Sequence, residues 1–222
     1  MILLQEACHS LAVGHMALAY LLSKPIAKAV RVNLNVPLLT VVSIIPDIDI
    51  LFESFIFHRG PTHSVIVATV VFIPLFLLYR KTVIPYFASL LSHMLIGDFF
   101  IGGQIMLFWP FTRAEFGLHE LGIAGAYFEF DNNVSIALEI ALFTAAIILL
   151  FKSRDVCQFL QKRKMNLVLT IPIGTVLLPS IIGYPIQIPS LLLAPHLFFF
   201  VLFSVAVLVV FISFFRNHKA NA

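Results

Sequence analysis

Seven long apolar runs, separated by short charged segments, constrain this chain more than any other feature of its sequence. A membrane span needs about 20 mostly apolar residues. Of the 222 residues, 60% are hydrophobic and 11% are charged, less than half the charged share of a typical soluble protein. The sequence therefore predicts an all-α, polytopic membrane helix bundle with about seven spans. The predicted spans are residues 8–23, 33–52, 64–79, 82–101, 133–151, 166–182 and 190–215.

The second run is the least like a continuous helix. Pro46 disfavours helical backbone at the residue before it, and two aspartates follow within the run. This span is predicted to be broken or re-entrant, as is tolerated where the backbone is buried in protein or lies beside water. Because no internal repeat or linker is visible, residues 1–222 are interpreted as a single integral membrane domain. Residues 1–112 carry the polar motifs, and residues 113–222 add spans and an outer loop at 112–132.

The basic residues are unevenly distributed between the two faces that seven spans define. Twelve of the 14 Lys and Arg residues fall on one face, and only Arg59 and Arg113 fall on the other. Short loops rich in Lys and Arg stay cytoplasmic. We therefore predict a multi-pass protein of the cell (inner) membrane with a cytoplasmic C-terminus. The basic residues are interpreted as helix flanks that contact anionic lipid headgroups.

The charge of the chain argues against nucleic acid as a partner. The net charge is only +3, and no run of Lys and Arg is long enough to bind a phosphate backbone. The two cysteines, Cys8 and Cys157, match no metal-ligand spacing. The partner that the composition predicts is the lipid bilayer.

Ionisable residues within the apolar runs are the informative ones, because burying them is costly unless they are paired or bind a metal. In the predicted topology those of the first four spans fall toward the non-cytoplasmic side. Four segments thus offer nitrogen and oxygen ligands at similar depth, as a metal site in a helix bundle requires. The candidates are His15, Asp47, Asp49, His58, His63, His93 and Asp98.

The local geometry of the two aspartates after Pro46 depends on the backbone. In a continuous helix Asp47 and Asp49 would point about 200° apart, whereas in an extended stretch they project to the same side. Pro46 favours the extended alternative. This predicts that both carboxylates face the site.

The segment from His58 to Ser64 contains a turn signal. The Gly-Pro pair at 60–61 predicts a turn that folds His58 and His63 inward. Ser64 or Thr62 is predicted to cap the helix that follows.

In the fourth span, His93 and Asp98 are five residues apart, a poor same-face match for an α-helix. A bulge or local unwinding at Gly97 would bring them together, and glycine makes such a distortion easy. The spacing therefore predicts a departure from α-helix at this point.

These segments together resemble a known family. The resemblance rests on PDID at 46–49, HRGPTHS at 58–64, Ser92-His93 followed by Asp98, LFWP at 107–110, and the early His15. The pattern is similar to that of the membrane-bound metal-dependent hydrolase family typified by YdjM-like inner-membrane proteins, and it covers roughly residues 10–112. The chain departs from the family in two places: Asp98 follows His93 by five residues rather than four, and Ile50 stands where a histidine is common. The resemblance implies metal-dependent hydrolysis, with a substrate that is not settled for the family.

Mixed carboxylate and imidazole ligands suit zinc, manganese or iron, and the candidate set is large enough for two divalent ions. A metal-activated water would then attack a phosphoester or ester of a lipid or amphiphile. Arg59 and His58 are the predicted catalytic residues; Arg59 can clamp a phosphate or carboxylate or can simply anchor at headgroups. The predicted metal ligands are His15, Asp47, Asp49, His63, His93 and Asp98.

Two other interpretations use the same residues. A non-catalytic ion-binding protein, such as a transporter or a sensor, would also bury Asp and His in its spans. Hydrogen-bonded polar residues can also serve only to fix helix packing. The loop at 112–132 is either a lid over the site or a solvated connector.

Overall fold

The structure is a computed structural model, and it describes residues 12–52, 59–102, 104–117, 132–183 and 188–220. Within these ranges the chain is helical, and the only β-structure is an isolated bridge between Ile105 and Phe116. The prediction of an all-α protein is confirmed. The α-helices are α1 (Ala12–Ala29), α2 (Val36–Val42), α3 (Val65–Tyr79), α4 (Ile84–Ser92), α5 (Asn132–Lys152), α6 (Thr170–Pro172), α7 (Leu178–Ile182) and α8 (Leu193–Ala220).

Stretches of π-helix and 3₁₀-helix extend or join several of these α-helices. The π-helices are His93–Gly102, which continues α4, and Ile173–Leu177, which joins α6 to α7. The 3₁₀-helices are Pro46–Phe52, Pro61–His63, Arg80–Val83, Asp155–Gln158, Lys164–Leu169 and Ser190–Leu192.

Three helical stretches in the described part of the chain are long and apolar enough to cross a membrane: Val65–Phe99, Lys164–Ile182 and Ser190–Arg216. The first of them reverses direction. Phe72 and Phe87 stack with ring centroids 4.0 Å apart, whereas a continuous helix would separate them by about 22 Å. Thus α3 and α4 form a hairpin at Arg80–Val83. Seven spans are not confirmed.

The outer surface of α3 is apolar and exposed. Val70, Leu77 and Leu78 are 63%, 62% and 73% exposed, and the helix has no polar face on which water could lie. An apolar helix that stays exposed in the folded chain is stable only in hydrocarbon or under a partner. The outer surface of α3 therefore suits the bilayer.

Helix α1 lies at the centre of the bundle, packed between α4 and α5. Val13, Ala17 and Ala19 are fully buried. Small residues along α1 let the neighbouring backbones approach closely, as is usual for helices that pack within a membrane. The core around α1 includes residues of α2, α5 and α8, so both halves of the chain contribute to it.

A partly buried ion pair joins α1 to the segment that follows α5. Lys24 donates a hydrogen bond to Asp155, and the Oδ2 atom of Asp155 also accepts from Tyr20 Oη at 2.7 Å and from Ser153 Oγ at 2.9 Å. Burial acts to raise the pKa of Asp155, but the hydrogen bonds from Lys24, Tyr20 and Ser153 outweigh it and hold that pKa below its ordinary value. We call these four residues the Asp155 cluster.

Candidate metal centre

Polar side chains from four separate segments meet beside α1. His15 comes from α1, Asp47 from the first 3₁₀-helix and His63 from the second, while His93 and Asp98 lie on the π-helix. All five are buried, with exposures of 7% or less. Their ligand atoms form two groups in which every atom lies within 4.8 Å of the others. The groups are His15, His93 and Asp98, and Asp47, His63 and His93.

Two imidazole nitrogens each lie close to the same two carboxylate oxygens. His93 Nε2 lies 3.3 Å from Asp47 Oδ1 and 3.2 Å from Asp98 Oδ2. His63 Nε2 lies 3.6 Å from Asp47 Oδ1 and 3.4 Å from Asp98 Oδ2. The two Nε2 atoms are 3.3 Å apart. We call these two imidazole nitrogens and two carboxylate oxygens the donor cage.

The spacing of the donor cage suits the ligands of a metal ion. With metal–ligand bonds of about 2.0–2.1 Å, the ligands of a tetrahedral ion lie about 3.3–3.4 Å from one another. The four nitrogen–oxygen separations and the nitrogen–nitrogen separation in the donor cage fall between 3.2 and 3.6 Å. Two carboxylates also balance the charge of a divalent ion, which lowers the cost of burying it. The residues present therefore fit a divalent metal in ligand spacing, ligand type and charge.

The far nitrogens of both cage histidines are held by acceptors. His93 Nδ1 lies 2.7 Å from the carbonyl oxygen of Ser43, so Nδ1 carries a proton and a neutral His93 presents only a lone pair to the cage. His63 Nδ1 lies 3.4 Å from Asp49 Oδ2. Metal-ligating histidines usually donate their other ring N–H in this way, which fixes the ring and its tautomer.

Asp49 therefore lies on the opposite side of His63 from Asp47. Its Oδ2 atom accepts hydrogen bonds from Thr62 Oγ1 at 2.5 Å and from the Arg59 backbone N–H at 3.2 Å. The predicted extended backbone is wrong, because residues 46–52 form a 3₁₀-helix, in which residues two apart point about 120° away from each other. Asp49, a predicted metal ligand, thus contacts the far ring nitrogen of His63 from outside the donor cage.

The predicted distortion of the fourth span is present. Residues 93–102 form a π-helix, whose hydrogen bonds link residues five apart, and this places His93 and Asp98 side by side. Gly97 lies against the ring of His15, and a Cβ at this position would collide with that ring. His15 in turn stacks on His93 with centroids 3.8 Å apart. Gly97 thus lets α1 approach the π-helix closely.

Arg59 lies at the edge of the donor cage. Its Nε atom is 3.7 Å from Asp98 Oδ1, and its side chain is 18% exposed. Its backbone has a positive φ of 61° and is fixed by the hydrogen bond to Asp49 and by one from the Met106 N–H. The structure thus brings Arg59 to the cage. The other predicted catalytic residue, His58, lies outside the described residues, as do residues 118–131 of the outer loop.

Ser64 connects the HRGPTHS segment to the LFWP segment. Its side chain accepts from the N–H groups of Ile66 and Val67 and caps α3, as predicted. Its hydroxyl also lies 2.6 Å from the carbonyl oxygen of Trp109, to which it donates. Thr62 bonds to Asp49 instead of acting as a cap.

Sequence reasoning did not single out Glu139, an acidic residue in the middle of the apolar helix α5. Its carboxylate packs against Gly14, the neighbour of His15, where any Cβ would collide with it. The signal was available, since an acidic residue within an apolar span is a functional candidate by default. His196 is buried in α8 and its Nδ1 lies 2.8 Å from the carbonyl oxygen of Leu192; it belongs to neither ligand group.

The fold and the buried His/Asp cluster define a helical membrane protein with a site fit for a metal ion. The family model for the YdjM inner membrane protein matches residues 10–220. The chain therefore belongs to the YdjM inner membrane protein family. The match extends through the second half of the chain, beyond the 10–112 resemblance. Comparisons with curated proteins and with solved structures give no match.

Proposed function

We propose that this protein is a membrane-embedded, metal-dependent hydrolase that acts on a phosphoester or ester of a lipid or amphiphile. The observation that carries the proposal is the donor cage, in which each of two imidazole nitrogens from separate segments lies 3.2–3.6 Å from the same two aspartate oxygens. A carboxylate oxygen is a poor neighbour for a lone pair of His93 unless a proton or a metal ion lies between them. Mixed imidazole and carboxylate ligands suit zinc, manganese or iron.

A bound divalent ion would supply Lewis acidity and would lower the pKa of a water molecule beside it. The chain's own residues supply the rest. Asp49 and the Ser43 carbonyl keep the two imidazoles oriented toward the cage. Arg59 lies beside Asp98 at the partly exposed edge, and its planar guanidinium suits the oxygens of a phosphate or carboxylate.

His15 extends the site beyond the donor cage. It lies in a ligand group with His93 and Asp98 and stacks on the His93 ring. From this position its imidazole can bind a second ion or can hold and pass a proton during hydrolysis. His58 remains a proposed catalytic residue on the strength of the family motif alone.

A specific observation favours a second candidate, a non-catalytic metal-binding protein. If all four donors of the cage bind one zinc ion, they leave no position for water, and closed sites of this kind are usually structural, whereas catalytic zinc keeps a position open. Hydrolysis requires that the ion in the cage accept a fifth ligand or that His15 hold a second ion. The two candidates therefore differ in the number of ions and open positions.

The experiment that tests metal binding uses the full chain purified in detergent. Metal content is measured for the wild type, for Asp47→Asn and His93→Gln, and for the matched controls Asp155→Asn and His196→Gln, which change buried residues outside the ligand groups. We expect about one or two ions per chain in the wild type and in both controls, and a loss of metal in the two cage variants. Equal metal content in all five proteins would overturn the metal site.

The second part of that experiment separates the two candidate functions. X-ray absorption at the metal edge reports the number of ligands, and hydrolysis is assayed on a panel of lipid phosphoesters and esters. Turnover that is lost in Asp47→Asn and in Arg59→Lys, which retains the charge but not the planar fork, supports the hydrolase. A metal-loaded, four-coordinate protein that turns over no substrate supports the non-catalytic alternative.

We further propose that the site lies near the non-cytoplasmic face and that the C-terminus is cytoplasmic, as the distribution of basic residues predicts. Two exposed positions test this orientation. Ala114 follows the LFWP segment beside the site, and Cys157 lies among the basic residues after α5. In a chain without its native cysteines, Ala114→Cys should react with a membrane-impermeant thiol reagent in intact cells. In a Cys8→Ser background, Cys157 should react with the same reagent only after lysis. The opposite labelling pattern would reverse the topology.

A further inference from the structure

A groove that shares no residue with the donor cage lies between the 3₁₀-helix Lys164–Leu169 and the last turns of α8. Its volume is about 370 Å³, at the lower end of the range of small-molecule sites. Both polar and apolar side chains line it. The lining includes Lys162, Lys164, Leu167, Phe211, Ser213 and Phe214.

The groove lies at the level where hydrocarbon meets water. One apolar stretch long enough to cross a membrane begins at Lys164, and another ends at Arg216. Residues near both of these ends line the groove, so the two stretches are adjacent there and their charged ends share one side. Lipid headgroups occupy this boundary in a bilayer.

The chemistry of the lining matches an amphiphile with an anionic head. Lys162 and Lys164 provide two exposed ammonium groups and Ser213 provides a hydroxyl, while no acidic residue of the described chain lines the groove. Phe211 and Phe214 are 48% and 50% exposed and provide apolar surface in the same groove. A neutral solute would leave the two positive charges without a counter-ion.

We propose that this groove binds one anionic glycerophospholipid of the surrounding leaflet. The phosphate lies between Lys162 and Lys164, and an acyl chain lies along Leu167 and Phe211. A volume of about 370 Å³ accommodates a headgroup and not two acyl chains, so the chains remain in the bilayer against α8. The proposal does not depend on metal binding or hydrolysis, and it differs from general headgroup contact because it specifies one saturable site.

The test is native mass spectrometry of the full chain in neutral detergent, titrated with dioleoylphosphatidylglycerol or dioleoylphosphatidylcholine. The wild type should bind one molecule of the anionic lipid with a saturable affinity that exceeds its affinity for the zwitterionic lipid. The double variant Lys162→Ala with Lys164→Ala should bind the anionic lipid about 30-fold more weakly, which corresponds to about 1 kcal/mol for each basic residue. Phe211→Ala should weaken the binding of both lipids.

The matched control is Lys28→Ala with Lys81→Ala, which removes the same charge from two exposed positions outside the groove. We expect this variant to bind like the wild type. An equal loss in the control would show general charge attraction and overturn the site. Equal binding of the two lipids, or displacement of the anionic lipid by millimolar inorganic phosphate alone, would also overturn it. All four lysines are exposed, and unchanged thermal unfolding of both double variants verifies that they fold.

Discussion

The donor cage and the Asp155 cluster both bury carboxylates against α1, but they differ in what neutralises them. Asp155 accepts hydrogen bonds from Lys24, Tyr20 and Ser153, so the chain itself supplies the positive charge and the protons. In the donor cage, Asp47 and Asp98 instead face two imidazole nitrogens. Buried charges are stable only when they are paired or bind a metal. The Asp155 cluster is neutralised within the chain, whereas a metal ion is proposed to neutralise the donor cage.

The largest expected effect follows from removing that cation. An ion present at about 1,000 times its Kd stabilises the folded state by about 4 kcal/mol, or roughly 10 °C in Tm for a chain of this size. A chelator should therefore lower the Tm of the purified wild type by about 10 °C, and added zinc should restore it. Thermal unfolding in detergent measures the shift.

The comparison also supplies the controls for the chelator experiment. Asp155→Asn alters the Asp155 cluster and leaves the donor cage intact, so the chelator should lower its Tm by as much as it lowers that of the wild type. His63→Gln removes a cage ligand and should start from a lower Tm that the chelator no longer changes. A metal-loaded wild type whose Tm is insensitive to loss of its metal would contradict the distinction between the two clusters.

The next largest effect tests the close approach of α1 to the π-helix. Gly97→Ala places a methyl group on the ring of His15, which stacks on His93. Overpacking of this kind typically costs about 1–3 kcal/mol, so both the Tm and the metal content should fall. The matched control is Gly174→Ala on the other π-helix, where an added Cβ meets nothing within 4 Å. Equal changes in Tm and metal content in the two variants would show that the position of His15 does not depend on this contact.

A smaller effect separates ligands from the residues that orient them. Asp49→Asn keeps an oxygen near His63 but removes the charge that holds its Nδ1 proton. Loss of such a partner typically weakens metal binding by 10- to 100-fold, whereas Asp47→Asn should abolish it. Competition with a chelator of known affinity measures the metal affinity of both variants. Equal losses in the two variants would place Asp49 among the ligands.

The convergence of the site could be predicted because polar residues are scarce in this chain. Against a background that is 60% hydrophobic, His15, His63, His93 and Asp98 stand out, and few arrangements of the helices bury them without bringing them together. The five-residue spacing of His93 and Asp98 also predicted a distortion, which the structure resolves as a π-helix.

The remaining features depend on contacts that are distant in sequence. Whether residues 46–52 are extended or 3₁₀ depends on the hydrogen bonds that Asp49 accepts from Thr62 and the Arg59 backbone. The Ser43 carbonyl that orients His93 is a backbone group, so no side chain marks it in the sequence. The partnership of Lys24 with Asp155 joins segments that are 131 residues apart, and nothing local to either residue predicts it.

The smallest expected effect concerns the cluster that is already complete. Because the pKa of Asp155 is lowered in the folded state, its contribution to stability is fully present above about pH 4, the ordinary aspartate value, and is lost as the pH falls through the folded pKa. Lys24 is 32% exposed and solvent screens the pair, so the contribution should be about 1 kcal/mol or less. The wild type should exceed Asp155→Asn in stability at pH 7, and the difference should shrink as the pH falls below 4 and vanish below the folded pKa of Asp155. A difference that persists in acid would mean that Asp155 acts through its shape and neutral hydrogen bonds, and the charge balance that distinguishes it from the donor cage would then be unimportant.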